Sequence, residues 1–274
     1  MPSATTKKRK PARRMSEIPA DVLAALNRGQ TQTANLVEWL ATDQRELARH
    51  ALPAAGLGKF LDEVLAAVAA VAKPTAMQQT RVIGLALARV VEVKNSPRSP
   101  YQRLLEHRSD VVRNWVPFIV GGQESLSLAQ KLTALEPLAA DKHFGVRETA
   151  WLAVRPSVER ELDMAIELLS TWPAHEHEGI RRFASEVTRP CGVWCNHLVR
   201  LKSEPELALP ILEPLRSDPA KYVRDSVGNW LNDASKSQPK WVQSLCRRWQ
   251  RESNTSETAY IVNKALRTIR AAQR

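Results

Sequence analysis

From Ser16 onward apolar residues return at steps of three and four, the spacing of helices that bury one face. Leu23 and Leu26 mark a first stripe, and Leu36, Trp39, Leu40 and Leu47 a second. Phe60, Leu61, Val64, Leu65, Val68 and Val71 make a third, and Ile83, Leu85, Leu87, Val90 and Val91 a fourth. Breaks fall at 53–58, 73–75 and 94–100. Ser16-Glu17-Ile18-Pro19 reads as a helix start with proline in the first turn. No stretch alternates with period two for long enough to be a strand. The pattern predicts an all-α protein.

A longer period lies over the short one. Asp110-Val-Val-Arg113-Asn-Trp-Val, Phe144-Gly-Val-Arg147-Glu-Thr-Ala, Glu178-Gly-Ile-Arg181-Arg-Phe-Ala and Lys221-Tyr-Val-Arg224-Asp-Ser-Val share an Arg after a β-branched residue and a small apolar residue three positions on. The arginines are 34, 34 and 43 residues apart, and a weaker copy, Ala259-Tyr-Ile-Val262-Asn-Lys-Ala265, follows 38 later. Asp110, Asp141 and Asp218 stand where helix N-caps are expected. Second helices are predicted over 127–139, 158–172 and 207–216. Helical pairs at this period build a stacked solenoid with one concave face. The V-R motif favours HEAT-like repeats. The spacings of 34 are short for HEAT (about 40–47), but the tetratricopeptide consensus is absent. Arg113, Arg147, Arg181 and Arg224 then have two readings: a basic stripe that follows a phosphate backbone, or rungs that cross-link neighbouring repeats through Asp and Glu.

Charge adds a partner class. The 274 residues carry 40 Lys plus Arg against 29 Asp plus Glu, a net +11. Six of those charges (Lys7, Lys8, Arg9, Lys10, Arg13 and Arg14) fall in the first 14 residues with no acid among them. Residues 1–15 are therefore expected to be a disordered basic arm and 16–274 a single HEAT-like repeat domain. Such an arm either neutralises phosphates without reading sequence or only solubilises the chain. It has no apolar core of the kind a secretory signal needs. No apolar run reaches the ~18 residues of a membrane span; the longest, 65–72, ends at Lys73. Cys191, Cys195 and Cys246 make no disulfide framework, which fits a reducing compartment. Cys191, Cys195 and His197 are three potential ligands on one segment, but a structural zinc site takes four, usually with CxxC spacing, so packing is the expectation there and no metal. There is no P-loop, GxGxxG or G-x-S-x-G, which removes nucleotide hydrolysis and serine-hydrolase chemistry.

Two segments carry more than a repeat requires. One is Ile180-Arg181-Arg182-Phe-Ala-Ser-Glu186-Val-Thr-Arg189-Pro190, followed by Trp194. The other is Tyr222-Val-Arg224-Asp-Ser-Val-Gly-Asn229-Trp-Leu-Asn-Asp233-Ala-Ser-Lys236. Arg182 and Glu186 are four apart and share a helix face, as do Asn229 and Asp233. These runs, with Asn-Leu-Val-Glu-Trp-Leu-Ala-x-Asp at 35–43 and the closing helix expected over 260–272, resemble the AlkC/AlkD family of HEAT-like-repeat DNA alkylation repair glycosylases, the AlkC branch in particular. The resemblance covers roughly residues 16–272. No counterpart of the extra C-terminal β-domain of some AlkC-like proteins is read in the sequence.

The resemblance implies a right-handed superhelical solenoid whose concave face binds DNA. It implies excision of cationic N3- or N7-alkylated purines from double-stranded DNA. A cationic base is already a good leaving group, so the task is to stabilise the positive charge that develops on the deoxyribose, and a fixed carboxylate near C1′ does this. Glu186 and Asp233 are the implied acids, Arg182 the phosphate holder and Trp194 the contact to lesion or sugar. Arg113, Arg147, Arg181, Arg224, Asn229 and Trp151 complete the expected DNA face. Trp115 and Trp230 are weighed between that face and ordinary packing. No metal, organic or nucleotide cofactor is required, and the expected protein is a monomer, cytoplasmic and nucleoid-associated, with no membrane partner. The sequence departs from the family pattern at two places. Aligned on Val154-Arg155-Pro156, a position acidic in AlkC holds Trp151, with Glu148 one turn before it. Aligned on Val116-Pro117, the catalytic Asp of the AlkD branch is replaced by Arg113. A non-catalytic binder of damaged or distorted DNA is therefore the alternative, and a protein-interaction scaffold a third reading. The repair reading expects Glu186 and Asp233 to converge in an open basic cleft, with an acid free of salt-bridge partners.

Overall fold

The computed structural model describes residues 10–94, 96–192 and 195–272. Within them every regular element is helical. The chain runs α1 (Ala20–Asn27), α2 (Leu36–Ala41), α3 (Gln44–Ala54), α4 (Leu61–Ala69), α5 (Ala76–Ala88), α6 (Pro100–Leu105), α7 (Asp110–Arg113), α8 (Trp115–Gly121) and α9 (Leu128–Ala139). It continues through α10 (Phe144–Arg160), α11 (Leu162–Leu169), α12 (Glu178–Val187), α13 (Val199–Ser203), α14 (Leu209–Leu212), α15 (Lys221–Ala234), α16 (Pro239–Glu252), α17 (Ser256–Ala265) and α18 (Arg267–Ala271). Two compact units divide the chain: residues 1–125 with 143–149, and 126–142 with 150–274. No helix among the described residues is long and apolar enough to cross a membrane.

In the first unit α5 packs on α8. The close approach is made at Gly84, where an added Cβ would meet Phe118 Cβ at 2.4 Å and the Trp115 carbonyl at 2.6 Å. Trp115 is fully buried and donates its indole N–H to Gln44 Oε1 at 3.0 Å. Trp115 is thus a core residue. The 35–43 motif works as two successive caps. Asn35 accepts from the Glu38 N–H while Glu38 accepts from the Ala34 N–H, and Asp43 accepts from the N–H groups of Arg45 and Glu46 at the start of α3. Residues 1–9 of the basic arm lie outside the described residues. Beyond them, the Ala12 carbonyl accepts from Asn35 Nδ2 at 2.6 Å.

In the second unit α15 packs between α12 and α17. Its buried stripe is Val223, Val227, Trp230, Leu231 and Ala234, the three- and four-residue spacing of a core-facing helix. Trp230 is fully buried and donates to the Thr188 carbonyl at 2.9 Å, so it too belongs to the core. α9 begins with a capping box: Ser127 accepts from the Gln130 N–H, and Gln130 from that of Ser127.

The predicted second helices differ in their bounds. The expected 158–172 helix is split. α10 runs through Pro156 to Arg160, because Val154 and Val158 keep one buried stripe across the proline. α11 then stops at Leu169. Over 207–216, Pro205, Pro210 and Pro214 leave only a 3₁₀ turn (Pro205–Ala208) and the short α14, since proline lacks the N–H that a helix interior needs. The expected 260–272 helix breaks at Leu266 into α17 and α18.

Candidate nucleic-acid interface

The repeat arginines do one job in common. Arg113 Nη1 donates to the carbonyls of His107 (2.7 Å) and Arg108 (3.1 Å). Arg181 Nη1 donates to those of His175 (3.0 Å) and Glu176 (2.7 Å). Arg224 Nη1 donates to those of Asp218 (2.9 Å) and Pro219 (2.6 Å). Each side chain reaches back six and five residues and clasps the loop that leads into its own helix. Arg181 also forks onto both Asp218 oxygens, 2.7 and 3.0 Å, across one repeat. Arg147, half-buried in the first turn of α10, is engaged as well. Arg181, through Asp218, makes the rung that one of the two readings expected; the clasp that Arg113, Arg181 and Arg224 share on their own approach loops is a third arrangement that neither reading contained.

The loops these arginines hold carry a recurring histidine acceptor, which caps a helix N-terminus at His143 and His177 and orders the residues before it at His107 and His175. His107, His143, His175 and His177 each accept, at Nδ1, the N–H two residues ahead: Ser109, Gly145, His177 and Gly179. Asp218 does the same for Ala220, which is itself the N-cap of α15, so Asp218 stands two residues before the cap position expected of it. Asp110 does not; it lies at the start of α7, fully buried, and binds the Thr33 N–H and hydroxyl at 2.8 and 2.7 Å.

The two implied acids meet on a single cation. Glu186 comes from the last turn of α12 and Asp233 from the last turn of α15. Arg189, just past the end of α12, donates from Nη1 to Glu186 Oε1 (2.6 Å) and from Nε and Nη2 to Asp233 Oδ2 (2.9 and 2.7 Å). The remaining oxygens are also occupied. Glu186 Oε2 accepts from the Ser226 hydroxyl at 2.6 Å and lies 3.4 Å from Arg182 Nη2. Asp233 Oδ1 accepts from Lys236 Nζ at 2.8 Å. Both carboxylates are buried. The two acids do converge, but not as expected: both are buried rather than open in a cleft, and neither is free of a salt-bridge partner. Arg189 lies in the quoted sequence run and was not singled out there. Its separation from Glu186 is a legible three residues, whereas its separation from Asp233 is 44.

Burial alone would raise the Glu186 pKa. The guanidiniums of Arg182 and Arg189, with the Ser226 and Arg189 hydrogen bonds, outweigh it and hold the carboxyl below its ordinary value. Glu186 is therefore ionised in a water-poor site. Two carboxylates against Arg182, Arg189 and Lys236 leave the cluster net positive.

Arg155 fastens this corner from below. It is almost fully buried and donates to the carbonyls of Val187 (2.8 Å), Arg189 (2.6 Å) and Asn196 (3.1 Å). A cation at the end of α12 also complements the helix dipole. Arg182 lies over the Tyr222 ring, 4.1 Å from its centroid, and donates to the Tyr222 carbonyl at 3.1 Å. Asn229 is half-exposed one turn before Asp233. Asn232, from the same Asn-x-Leu-Asn-Asp run, has a structural role: its side-chain oxygen accepts from the Thr268 N–H and hydroxyl at the start of α18. Trp151 is buried on α10, and Trp194 lies outside the described residues. The structure thus brings together Glu186, Asp233 and Arg182, leaves Asn229 a turn away on the half-exposed side of α15 without a hydrogen bond to them, and turns Arg181 and Arg224 to their loops.

Among the described residues no group of three or more His, Cys, Asp and Glu could hold a metal. Cys191, Cys195 and Cys246 are free thiols. Cys195 lies against Arg155, and burial pushes its thiol up.

These features define a class. Residues 146–268, the stretch holding the whole acid–arginine cluster, match the profile of the DNA alkylation repair enzyme family, and the fold is of the AlkC/AlkD helical-repeat type. The structure resembles Pseudomonas fluorescens alkylpurine DNA glycosylase AlkC bound to DNA containing an abasic site analog, with a TM-score of 0.67 and 25% identity over 94% of this chain and 65% of that one. AlkD2 from Streptococcus mutans shares the fold at a TM-score of 0.57 and 21% identity, over 76% of this chain and 97% of that one. In sequence, the chain is 37% identical over 134 residues to the uncharacterized protein YhaZ of Bacillus subtilis (strain 168), covering 49% of this chain and 37% of YhaZ. The chain therefore spans little more than a third of that relative and just under two thirds of AlkC. The similarity to the AlkC branch agrees with the sequence reading.

Proposed function

We propose that the protein is a DNA N-glycosylase that excises cationic N3- or N7-alkylated purines from double-stranded DNA. The observation that carries this reading is the convergence of Glu186 and Asp233 on Arg189, with Glu186 held ionised in a site shielded from water. As the bond from C1′ to the alkylated base breaks, positive charge passes from the base to the sugar and the base leaves neutral. A fixed carboxylate nearby lowers the energy of that state, and water adds at C1′ with loss of a proton. Arg182 and Lys236 are the cations that DNA phosphates compete for. Once they turn to the backbone, the Glu186–Arg189–Asp233 triad that remains is net negative towards the sugar. No step requires a cofactor.

Incubation of purified protein with methylated duplex DNA, followed by chromatography of the released bases, tests this. Release of 3-methyladenine or 7-methylguanine is expected, with a loss on the order of 100–1000-fold in Glu186→Gln or Asp233→Asn, the scale for removing one preorganised charge-stabilising group.

A second reading has its own observation. Every oxygen of Glu186 and Asp233 is already engaged, and the family resemblance implies acids at the positions of Trp151 and Arg113. A binder of damaged or distorted DNA without excision fits these facts. It predicts salt-sensitive duplex binding with no base release at high protein concentration.

A further inference from the structure

The weaker fifth copy of the repeat motif and the short helix after it form a basic groove outside the acid–arginine cluster. Tyr260, Asn263 and Lys264 of α17 and Arg267, Arg270 and Ala271 of α18 line a cavity of about 470 Å³. Three of the six lining residues are cations and none is an acid. Asn263, Arg267, Arg270 and Ala271 are exposed, so the cavity is an open groove, suited to a polymer passing through rather than to an enclosed small molecule. Arg270 donates to the Asn263 side chain. Among the described residues the Arg267 guanidinium has no hydrogen bond or ion pair.

The nearest carboxylate does not cancel this charge. Asp225 on α15 accepts from Lys221 Nζ (2.8 Å), Lys264 Nζ (2.5 Å) and the Tyr260 hydroxyl (2.7 Å). Burial would raise its pKa, but those hydrogen bonds outweigh it and hold the carboxyl below its ordinary range. Asp225 therefore acts as a permanent anchor for two lysines. The Tyr260 ring has Lys221, Arg224 and Lys264 within 5.4–5.9 Å of its centroid. Its face is taken up by cations and is not offered to a base.

We infer that this groove is a phosphate-binding strip for the backbone of duplex DNA, with Arg267 and Arg270 as its direct contacts and Asp225 and Tyr260 as positioning residues for Lys264. The inference rests on the reading that DNA is the substrate, and it adds a second anchoring point outside the acid–arginine cluster. Phosphate contacts of this kind fix register without reading sequence.

The test is fluorescence anisotropy of the full chain with a short unmodified duplex, titrated between about 50 and 200 mM salt. Each phosphate contact contributes about 0.9 to the slope of log K against log salt. Arg267→Ala/Arg270→Ala is expected to flatten the slope by about 1.8 and to weaken all duplex sequences alike. Both side chains are exposed, and an unchanged melting temperature shows that the fold is intact. The control Arg45→Ala/Arg49→Ala removes the same charge from exposed positions on α3 and is expected to leave the slope near wild type. An unchanged slope in the groove variant, an equal loss in the control, or no duplex binding by the wild type overturns the inference. The duplex carries no lesion, so this result is independent of base release. A protein that binds through the strip but excises nothing refutes the glycosylase reading alone.

Discussion

Arg189 and Asp233, 44 residues apart, are joined by two hydrogen bonds onto a single carboxylate oxygen, 2.9 Å from Nε and 2.7 Å from Nη2. The same guanidinium holds Glu186. One side chain thus ties the end of α12 to the end of α15 and sets where both acids stand. Arg189→Met strands two buried carboxylates without their shared partner. Breaking a buried pair in this way costs about 3–5 kcal/mol, which lowers the melting temperature by on the order of 10 °C in a chain of this size. The triple variant Arg189→Met/Glu186→Gln/Asp233→Asn removes the stranded charges and should recover most of the loss. Calorimetry of the two variants checks this, and equal melting temperatures would contradict it.

The clasp made by Arg113 predicts a stability effect with little effect on binding. Arg113→Ala leaves the His107 and Arg108 carbonyls without their donor. The expected loss is about 1.5–3 kcal/mol, the range for hydrogen bonds to a charged group, read from the urea midpoint. The salt slope of duplex binding should not change. A slope flattened by about one with unaltered stability would return Arg113 to the DNA face.

Gly84 tests the close approach of α5 to α8. In Gly84→Ala the new methyl meets the Trp115 carbonyl, a backbone atom that cannot rotate away. Overpacking of this kind costs about 1–3 kcal/mol. Thermal melts should show the loss, while base release per folded molecule stays at the wild-type level.

Acid should weaken the fold through His107. Burial lowers its pKa, the Arg113 and Arg108 guanidiniums lower it further, and the Ser109 backbone contact only partly opposes them. The unfolded chain therefore binds this proton more readily than the native one. The contribution is complete above the unfolded value of about 6.5 and is lost as pH falls from there through the lower native pKa. The acceptor role of Nδ1 towards the Ser109 N–H ends at the same point. His107→Asn keeps a side-chain acceptor that does not titrate. Melting temperatures between about pH 5 and 7 should slope less in the variant than in the wild type.

Much of the fold is legible from spacing. The stripe Val223, Val227, Trp230, Leu231 and Ala234 is apolar at helical steps and is the core of the second unit, and the box of Ser127 and Gln130 marks the start of α9 to within one residue. The site is only half legible. Residues four apart share a face, which brings Glu186 beside Arg182. Nothing in a sequence says which way a guanidinium turns, so Arg181 and Arg224 read as a basic stripe or as rungs between repeats, and the clasp on their own loops is not legible. Arg189 is harder still. It stands beyond the last residue of α12, where helical spacing no longer fixes direction, and its second partner comes from another repeat. The caps at His143 and His177 are not legible because Asp, Asn, Ser and Thr are the usual signals, and imidazole Nδ1 accepts an N–H only when it carries no proton of its own.

The clasp has a consequence for how such a chain tolerates change in length. Arg113 and Arg181 are 68 residues apart across two repeats, and Arg181 and Arg224 are 43 apart across one, yet each grips the backbone at the same two offsets behind it. Every helix of this kind brings its own fastening for the segment that delivers it. Extra residues added upstream are absorbed as slack, and the helix still begins in register.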